Sequence, residues 1–327
     1  MKFSELKMRL IALPVVLCHE GYPVQLEERP VKKLECSINR WHTSYAFIAL
    51  AMFALSLCAL PAKGQGFGFN DFSSTAGLTL LAPAAQSGNV LRLTPGGIHQ
   101  VGGAWFNTAQ PVAGGFTTIF TFQISNPNNG NPFPADGIAF VIQNDTRGAG
   151  ALGGDGGCIG YSADAGICDN TVFTGISNSL AVELDTFQNG TTDPDANHIA
   201  VQSCGTAANS SLETGACKRG TAPNAVLTAA GLNLHDGNPH TLQIVYDPNA
   251  SCGEFGTGTL NINLLNTGTN LLSVCIGDLA SLLGLGVSGG KAFVGFTGST
   301  GADVENNDIL NWQWASGASF TTTQQPI

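Results

Sequence analysis

The densest collection of potentially reactive side chains lies in Leu180-Ala-Val-Glu-Leu-Asp-Thr-Phe-Gln-Asn189, followed by Asp193-Pro-Asp-Ala-Asn-His-Ile199. The alternation of Leu180, Val182 and Leu184 predicts a strand whose apolar face enters a core. Glu183 and Asp185 then share the opposite face, about 7 Å apart at the rise of an extended chain. Two carboxylates on a half-buried sheet face need a compensating cation or shared protons, because burial penalises the charged form.

Three chemistries compete for this segment. A solvated acidic face would ask nothing more of it. A retaining glycosidase would use two carboxylates about 5 Å apart, one as nucleophile and one as acid. Sandwich enzymes of the laminarinase type carry that pair on one strand as Glu-x-Asp-x-x-Glu. Here the last position is Gln188, which has no proton to give, so the general acid is missing. A metal pair is the third. Glu183, Asp185, Asn189, Asp193 and His198 mix the hard oxygens that suit a divalent cation with one imidazole that suits a transition ion.

The elements that must hold these residues are strands. Phe120–Ile124, Leu242–Tyr246, Thr259–Leu264, Ala292–Phe296 and Ile309–Trp314 alternate or run apolar, with turn clusters such as Asn126–Pro132 and Tyr246–Ala250 between them. Short period-two runs separated by Gly, Pro and Asn predict an all-β sandwich. Asp278–Leu283 is the exception and predicts a single helical turn. No composition break or repeat divides residues 66–327, which predicts one domain.

The first 65 residues differ in kind. They hold 8 Lys/Arg and 5 Asp/Glu, whereas the rest of the 327-residue chain holds 5 and 18. Five dispersed basic residues cannot form a phosphate-tracking surface, which argues against nucleic acid as a partner. Tyr45–Leu60 is a short apolar run behind a positive flank, and Pro61 and small residues follow it. That order predicts a secretory signal peptide over 41–65, cleaved within 62–66, with no membrane attachment of the mature protein. Residues 1–40 form an extension with no evident period. Of nine cysteines, Cys18, Cys36 and Cys58 fall in the removable part. Cys158 and Cys168, Cys204 and Cys217, and Cys252 and Cys275 remain. Spacing alone allows fifteen connectivities for six cysteines. Nearest-neighbour pairing is the expectation, in an oxidised, extracytoplasmic protein.

The segment Glu-Leu-Asp-Thr-Phe-x-Asn…Asp-Pro…Asn-His-Ile resembles the metal-binding stretch of the legume-type (L-type, concanavalin-like) lectins. Three further segments fall in the order of that family. Pro134–Ile142 is similar to the strand bearing its sugar-binding Asp, Gly153–Tyr161 to its glycine-rich loop, and Phe293–Gly301 with Asn307–Trp312 to its last two strands. The resemblance covers roughly 66–316. It implies a concanavalin-like jelly-roll sandwich of two large antiparallel sheets and a secreted lectin that binds glycans without hydrolysing them. Glu183, Asp185, Asp193 and His198 would hold Mn²⁺ or another transition ion, with Ser203 a further candidate through water. Asp185, the Phe187 carbonyl, Asn189 and Asp193 would hold Ca²⁺. Asp136, behind a cis Ala135–Asp136 peptide, would accept from two sugar hydroxyls. Asn189 and the Gly157 amide would donate, and Phe187 would stack on the pyranose. Family members pair through several sheet edges, so a homo-oligomer is compatible with the resemblance. An adhesion module of the same fold without sugar binding remains a further reading.

Smaller signals attract blander expectations. The glycines of 153–160 lack the Lys-Ser/Thr of a phosphate loop. His99, His235 and His240 are expected at the surface or in turns. Asp303, Glu305 and Asp308 are expected in an acidic loop before the last strand, either bordering the sugar site or simply solvated.

Overall fold

A computed structural model describes residues 66–125, 134–169, 174–253 and 256–317. The signal peptide and N-terminal extension assigned to 1–65, and the Asn126–Pro132 turn cluster, lie outside the described residues. Those described belong to one compact unit, Lys63–Ile327. No helix among them is long and apolar enough to cross a membrane.

In chain order the strands are β1 (Gly66–Phe69), β2 (Leu78–Leu81), β3 (Ala85–Ser87), β4 (Val90–Thr94), β5 (Val101–Phe106), β6 (Gln110–Pro111), β7 (Phe116–Ser125) and β8 (Gly137–Gln143). They continue as β9 (Ser179–Asp185), β10 (His198–Gln202), β11 (Lys218–Ala222), β12 (His240–Ser251), β13 (Thr257–Leu264), β14 (Thr269–Cys275), β15 (Lys291–Ser299) and β16 (Asn306–Ser316). They form two eight-stranded sheets. One runs β14-β13-β12-β7-β16-β4-β3 with β1 beside β16; the other runs β11-β10-β9-β8-β15-β5-β2 with β6 beside β15. Every inter-strand pairing is antiparallel.

Between the sheets lies an aromatic core in which Phe120, Phe140, Phe296, Trp312 and Trp314 are fully or almost fully buried. Phe296 meets both Phe120 and Trp312 edge-on, the geometry that ring quadrupoles favour. All six strands expected from the sequence, Leu180–Leu184 among them, are present, each inside a longer one. The helical turn is Leu279–Leu282, started by the Asp278 carboxylate, which accepts from the Ala280 and Ser281 amides. That is the usual chemistry of an N-cap. The three disulfides join nearest neighbours, Cys158–Cys168, Cys204–Cys217 and Cys252–Cys275.

Two expectations change. Tyr246–Ala250 is not a turn between strands but the far end of β12, where the register with β13 slips between Asp247 and Ser251. A bulge of this kind accommodates a proline that cannot donate to the ladder. The outer face of β9 is not half-open either. Leu180, Val182 and Leu184 enter the main core, while Ala181 joins a second cluster on the opposite face, with Trp105 from β5 of the same sheet and Ile159 and Tyr161 from the segment between β8 and β9. The loops between β8 and β9 thus roof the sheet, and every residue of β9 is buried.

Candidate metal centre and carbohydrate site

The register of the second sheet assembles the acidic cluster. Asp185, the last residue of β9, stands opposite Gly137 on β8 and His198 on β10. Gly137 has a φ of +128°, and a Cβ there would overlap the Leu184 carbonyl, so only glycine allows this approach. Beyond the strand the chain turns back on itself: the Phe187 amide donates to Asp185 Oδ1 (2.8 Å) and the Asn189 amide to Asp193 Oδ2 (2.6 Å). Asp185, Asp193 and His198 can offer one ligand atom each within 4.8 Å of one another. Glu183 is deeper, takes the Tyr161 hydroxyl on Oε2, and shares a second such group with His198 and Glu213.

His198 is fully buried, and its Nδ1 lies 2.8 Å from the Asp195 carbonyl. A carbonyl only accepts, so Nδ1 carries the proton and Nε2 faces the carboxylates. Nε2 lies 3.3 Å from Glu213 Oε1 and 3.8 Å from Asp185 Oδ2, without a hydrogen bond that meets geometric criteria. Fixing a ring's tautomer through a backbone carbonyl is how proteins present a histidine to a metal.

Burial dominates the electrostatics of the cluster. Burial pushes the Glu183 carboxyl up to about 8, and Asp185 well above the usual carboxylate range, the His198 charge opposing both. Burial also raises Asp193. For His198 burial acts downwards, but the contact with Glu213 and the charges of Asp185 and Glu183 outweigh it and lift the imidazole to about 10. The carboxylates crowd around a single imidazole, and a divalent cation would replace the protons these groups otherwise retain. The donor set of carboxylates, an amide and one imidazole fits Ca²⁺ beside a transition ion.

Next to this cluster lies a second one. Asp136 precedes β8 behind a cis Ala135–Asp136 peptide, as the family resemblance implies. Its amide donates to the Ser299 carbonyl and its carbonyl accepts from Thr186, the residue after Asp185. Ser299 also donates from its hydroxyl to the Gly156 carbonyl (2.6 Å). The end of β15 thereby ties Asp136 to the glycine-rich loop, whose Gly156–Cys158 turn is fully buried. A Cβ at Gly157 would overlap the Asn189 side-chain amide, so those two residues abut, and Phe187 remains half-exposed between them and Asp185 in sequence. Asp136 is 4% exposed and its Oδ2 has no hydrogen-bond partner. Burial, helped by the charges of Asp169, Asp303 and Asp155, raises it to about 8.

Glu183, Asp185, Asp193 and His198 fall into one cluster, and Asp136, Gly157 and Asn189 lie beside it. Other expectations need correction. Ser203 is not aimed at the cluster; its hydroxyl donates to the Ser179 carbonyl. His240 is not a surface residue but the buried start of β12, 3.0 Å from Asp236. His99, by contrast, is exposed in a turn as expected, 3.3 Å from Asp169. Glu305 and Asp308 do not form a solvated loop. Glu305 is fully buried and accepts from Thr186, and Asp308 forms a two-pronged pair with Arg92 (2.6 and 2.8 Å). Sequence reasoning also missed Tyr161 and Glu213. Tyr161 belongs to a loop whose path over β9 has no periodic signature, and Glu213 is brought back by a disulfide.

Two eight-stranded antiparallel sheets packed face to face, one of them carrying a buried carboxylate–imidazole cluster, make a jelly-roll sandwich. The legume lectin domain profile matches residues 64–326, and the chain belongs to that family of carbohydrate-binding lectins. Among its relatives, the erythroagglutinating phytohemagglutinin of Phaseolus vulgaris is 29% identical over 298 residues, covering 86% of this chain and 94% of that protein. Agglutinin-2 of Cladrastis kentukea is 28% identical over 212 residues, 65% of this chain and 61% of that protein. Of solved structures, basic winged bean lectin with Tn-antigen aligns with a TM-score of 0.56 at 25% identity, over 79% of this chain and all of that one. Peanut lectin with a nonapeptide aligns at 0.57, with 21% identity over 80% of this chain, a likeness of fold.

Proposed function

We propose that the chain is a secreted lectin that binds glycans non-covalently at Asp136, Gly157, Phe187 and Asn189, next to a Ca²⁺/Mn²⁺ pair held by Glu183, Asp185, Phe187, Asn189, Asp193 and His198. The observation that carries this reading is the juxtaposition of Asp136, whose buried Oδ2 has no hydrogen-bond partner, with buried carboxylates that outnumber the one imidazole among them. When bound, the ions supply positive charge that keeps the surrounding carboxylates ionised. An ionised Asp136 accepts hydrogen bonds from two sugar hydroxyls, and such charge-assisted bonds are about twice as strong as neutral ones. Asn189 and the Gly157 amide donate to the sugar, and Phe187 covers its apolar face.

A glycosidase reading has less support. Gln188, where the general acid would sit, is exposed and donates to the Asp193 and Pro194 carbonyls, a contact that stiffens the loop and supplies no proton. Secretion accords with the three disulfides, since such bonds persist in oxidising compartments. Elemental analysis of the purified protein and of Asp185→Ala tests the proposal. Wild type should carry both ions, and the variant should lose both together with binding to immobilised glycans. Undiminished glycan binding by a metal-free Asp185→Ala protein would sink it, as would release of sugar from β-glucans by the wild type.

A further inference from the structure

Resting on the metal reading above, we infer that Glu213 is a direct ligand of the transition ion, so that the protein surrounds this ion with five side chains: Glu183, Asp185, Asp193, His198 and Glu213. Glu213 lies fifteen positions beyond His198, in the irregular stretch between β10 and β11 that the Cys204–Cys217 bond closes. Its two carboxylate oxygens face different surroundings. Oε2 points outward, accepting from the Thr221 hydroxyl (3.1 Å) with the Lys218 ammonium 4.0 Å away. Oε1 points inward, is buried, and has no hydrogen-bond partner. It lies 3.3 Å from His198 Nε2, itself buried and without one.

A carboxylate kept only for structure would bond through both oxygens, because an unsatisfied buried acceptor costs about 1–3 kcal/mol or more when charged. Lys218 does not supply that role, since it approaches only the outer oxygen. Glu183, His198 and Glu213 can place one atom each within 4.8 Å of one another, and Asp185, Asp193 and His198 do the same. The two groups share His198, so one ion beside Nε2 can be reached from both. Ser203, the other candidate for this position, is turned away toward Ser179.

The number of waters on bound Mn²⁺ tests this in the unaltered protein. An octahedral ion has six positions, so five protein ligands leave one for water and four leave two. The electron paramagnetic resonance spectrum of Mn²⁺-loaded protein in ¹⁷O-enriched water should therefore show broadening from a single water; broadening from two would overturn the inference and leave the metal reading intact. A wild type that takes up no Mn²⁺ would overturn both. Calorimetric titration with Mn²⁺ alone gives a second reading. Glu213→Gln, nearly the same shape, should raise the dissociation constant at least about tenfold, with near-ultraviolet circular dichroism unchanged. Affinity equal to wild type would overturn the inference.

Discussion

Asp145 and Asp185 are both buried carboxylates at the ends of neighbouring strands, yet their surroundings are opposite. Asp145 has its own cation. The Arg147 guanidinium grips both oxygens at 2.9 Å, the Arg147 and Ser177 amides donate, and so does the Ser177 hydroxyl. Burial acts to raise this carboxyl, but these partners win and hold it well below the usual carboxylate range. Arg147 also donates to the Leu152, Thr174 and Gly175 carbonyls, pinning the loop that roofs β9. Asp185 has one amide donor and a shared imidazole, and burial pushes it up. The first cluster is complete within the chain. The second crowds several buried carboxylates around one imidazole, the surroundings expected of the proposed ligand site.

Three changes test that contrast. The largest effect is expected from Asp136→Ala, which removes both charge-assisted acceptors. At about 1.5–3 kcal/mol each, their loss should weaken glycan binding at least about a hundredfold. Metal content should be unchanged, because Asp136 is outside the ligand set; glycan affinity within a few-fold of wild type would place the sugar elsewhere. Next, Arg147→Ala strands the Asp145 carboxylate and should cost about 2–3 kcal/mol of stability in urea unfolding. The estimate is held below that of a fully buried pair because the Arg147 side chain is 34% exposed. An unchanged midpoint would show that the cluster does not support the loop.

The gentlest test is pH. In the ion-free protein Asp136 rises from 3.8 and Glu183 from 4.5, each to about 8. Across that window the folded state binds more protons than the unfolded state, so stability falls as pH rises. His198, raised from 6.5 to about 10, adds a loss of the same sign above neutrality. Asp145 has the opposite sign, its contribution being lost as pH falls below the ordinary carboxylate range. Thermal unfolding of chelated protein should thus drop between about pH 5 and 8, and Ca²⁺ with Mn²⁺ should flatten the curve, since metal displaces protons. Parallel curves with and without ions would contradict the assignment.

The sequence made the central strand and its loop legible because their signals are local. Alternation put Leu180, Val182 and Leu184 inward and Glu183 with Asp185 outward, and the turn residues carried Asn189 and Asp193 within a few positions. Less legible was what covers the outward face. Tyr161 and Ile159 come from the irregular segment between β8 and β9, tied down by Arg147 and the Cys158–Cys168 bond, and no periodicity records that. Glu213 escaped notice for a similar reason, as its approach to His198 depends on a chain reversal closed by a disulfide. Of the two readings open for Glu305 the solvated one fails, because the Thr186 hydroxyl opposite it and its burial are set by the tertiary fold.

Metal-dependent sugar binding is best tested by a glycan array run on one preparation in three states: as purified, after chelation, and after Ca²⁺ and Mn²⁺ are restored. Binding is expected in the first state, silence in the second and recovery in the third. Binding that survives chelation, or silence in all three, would contradict it.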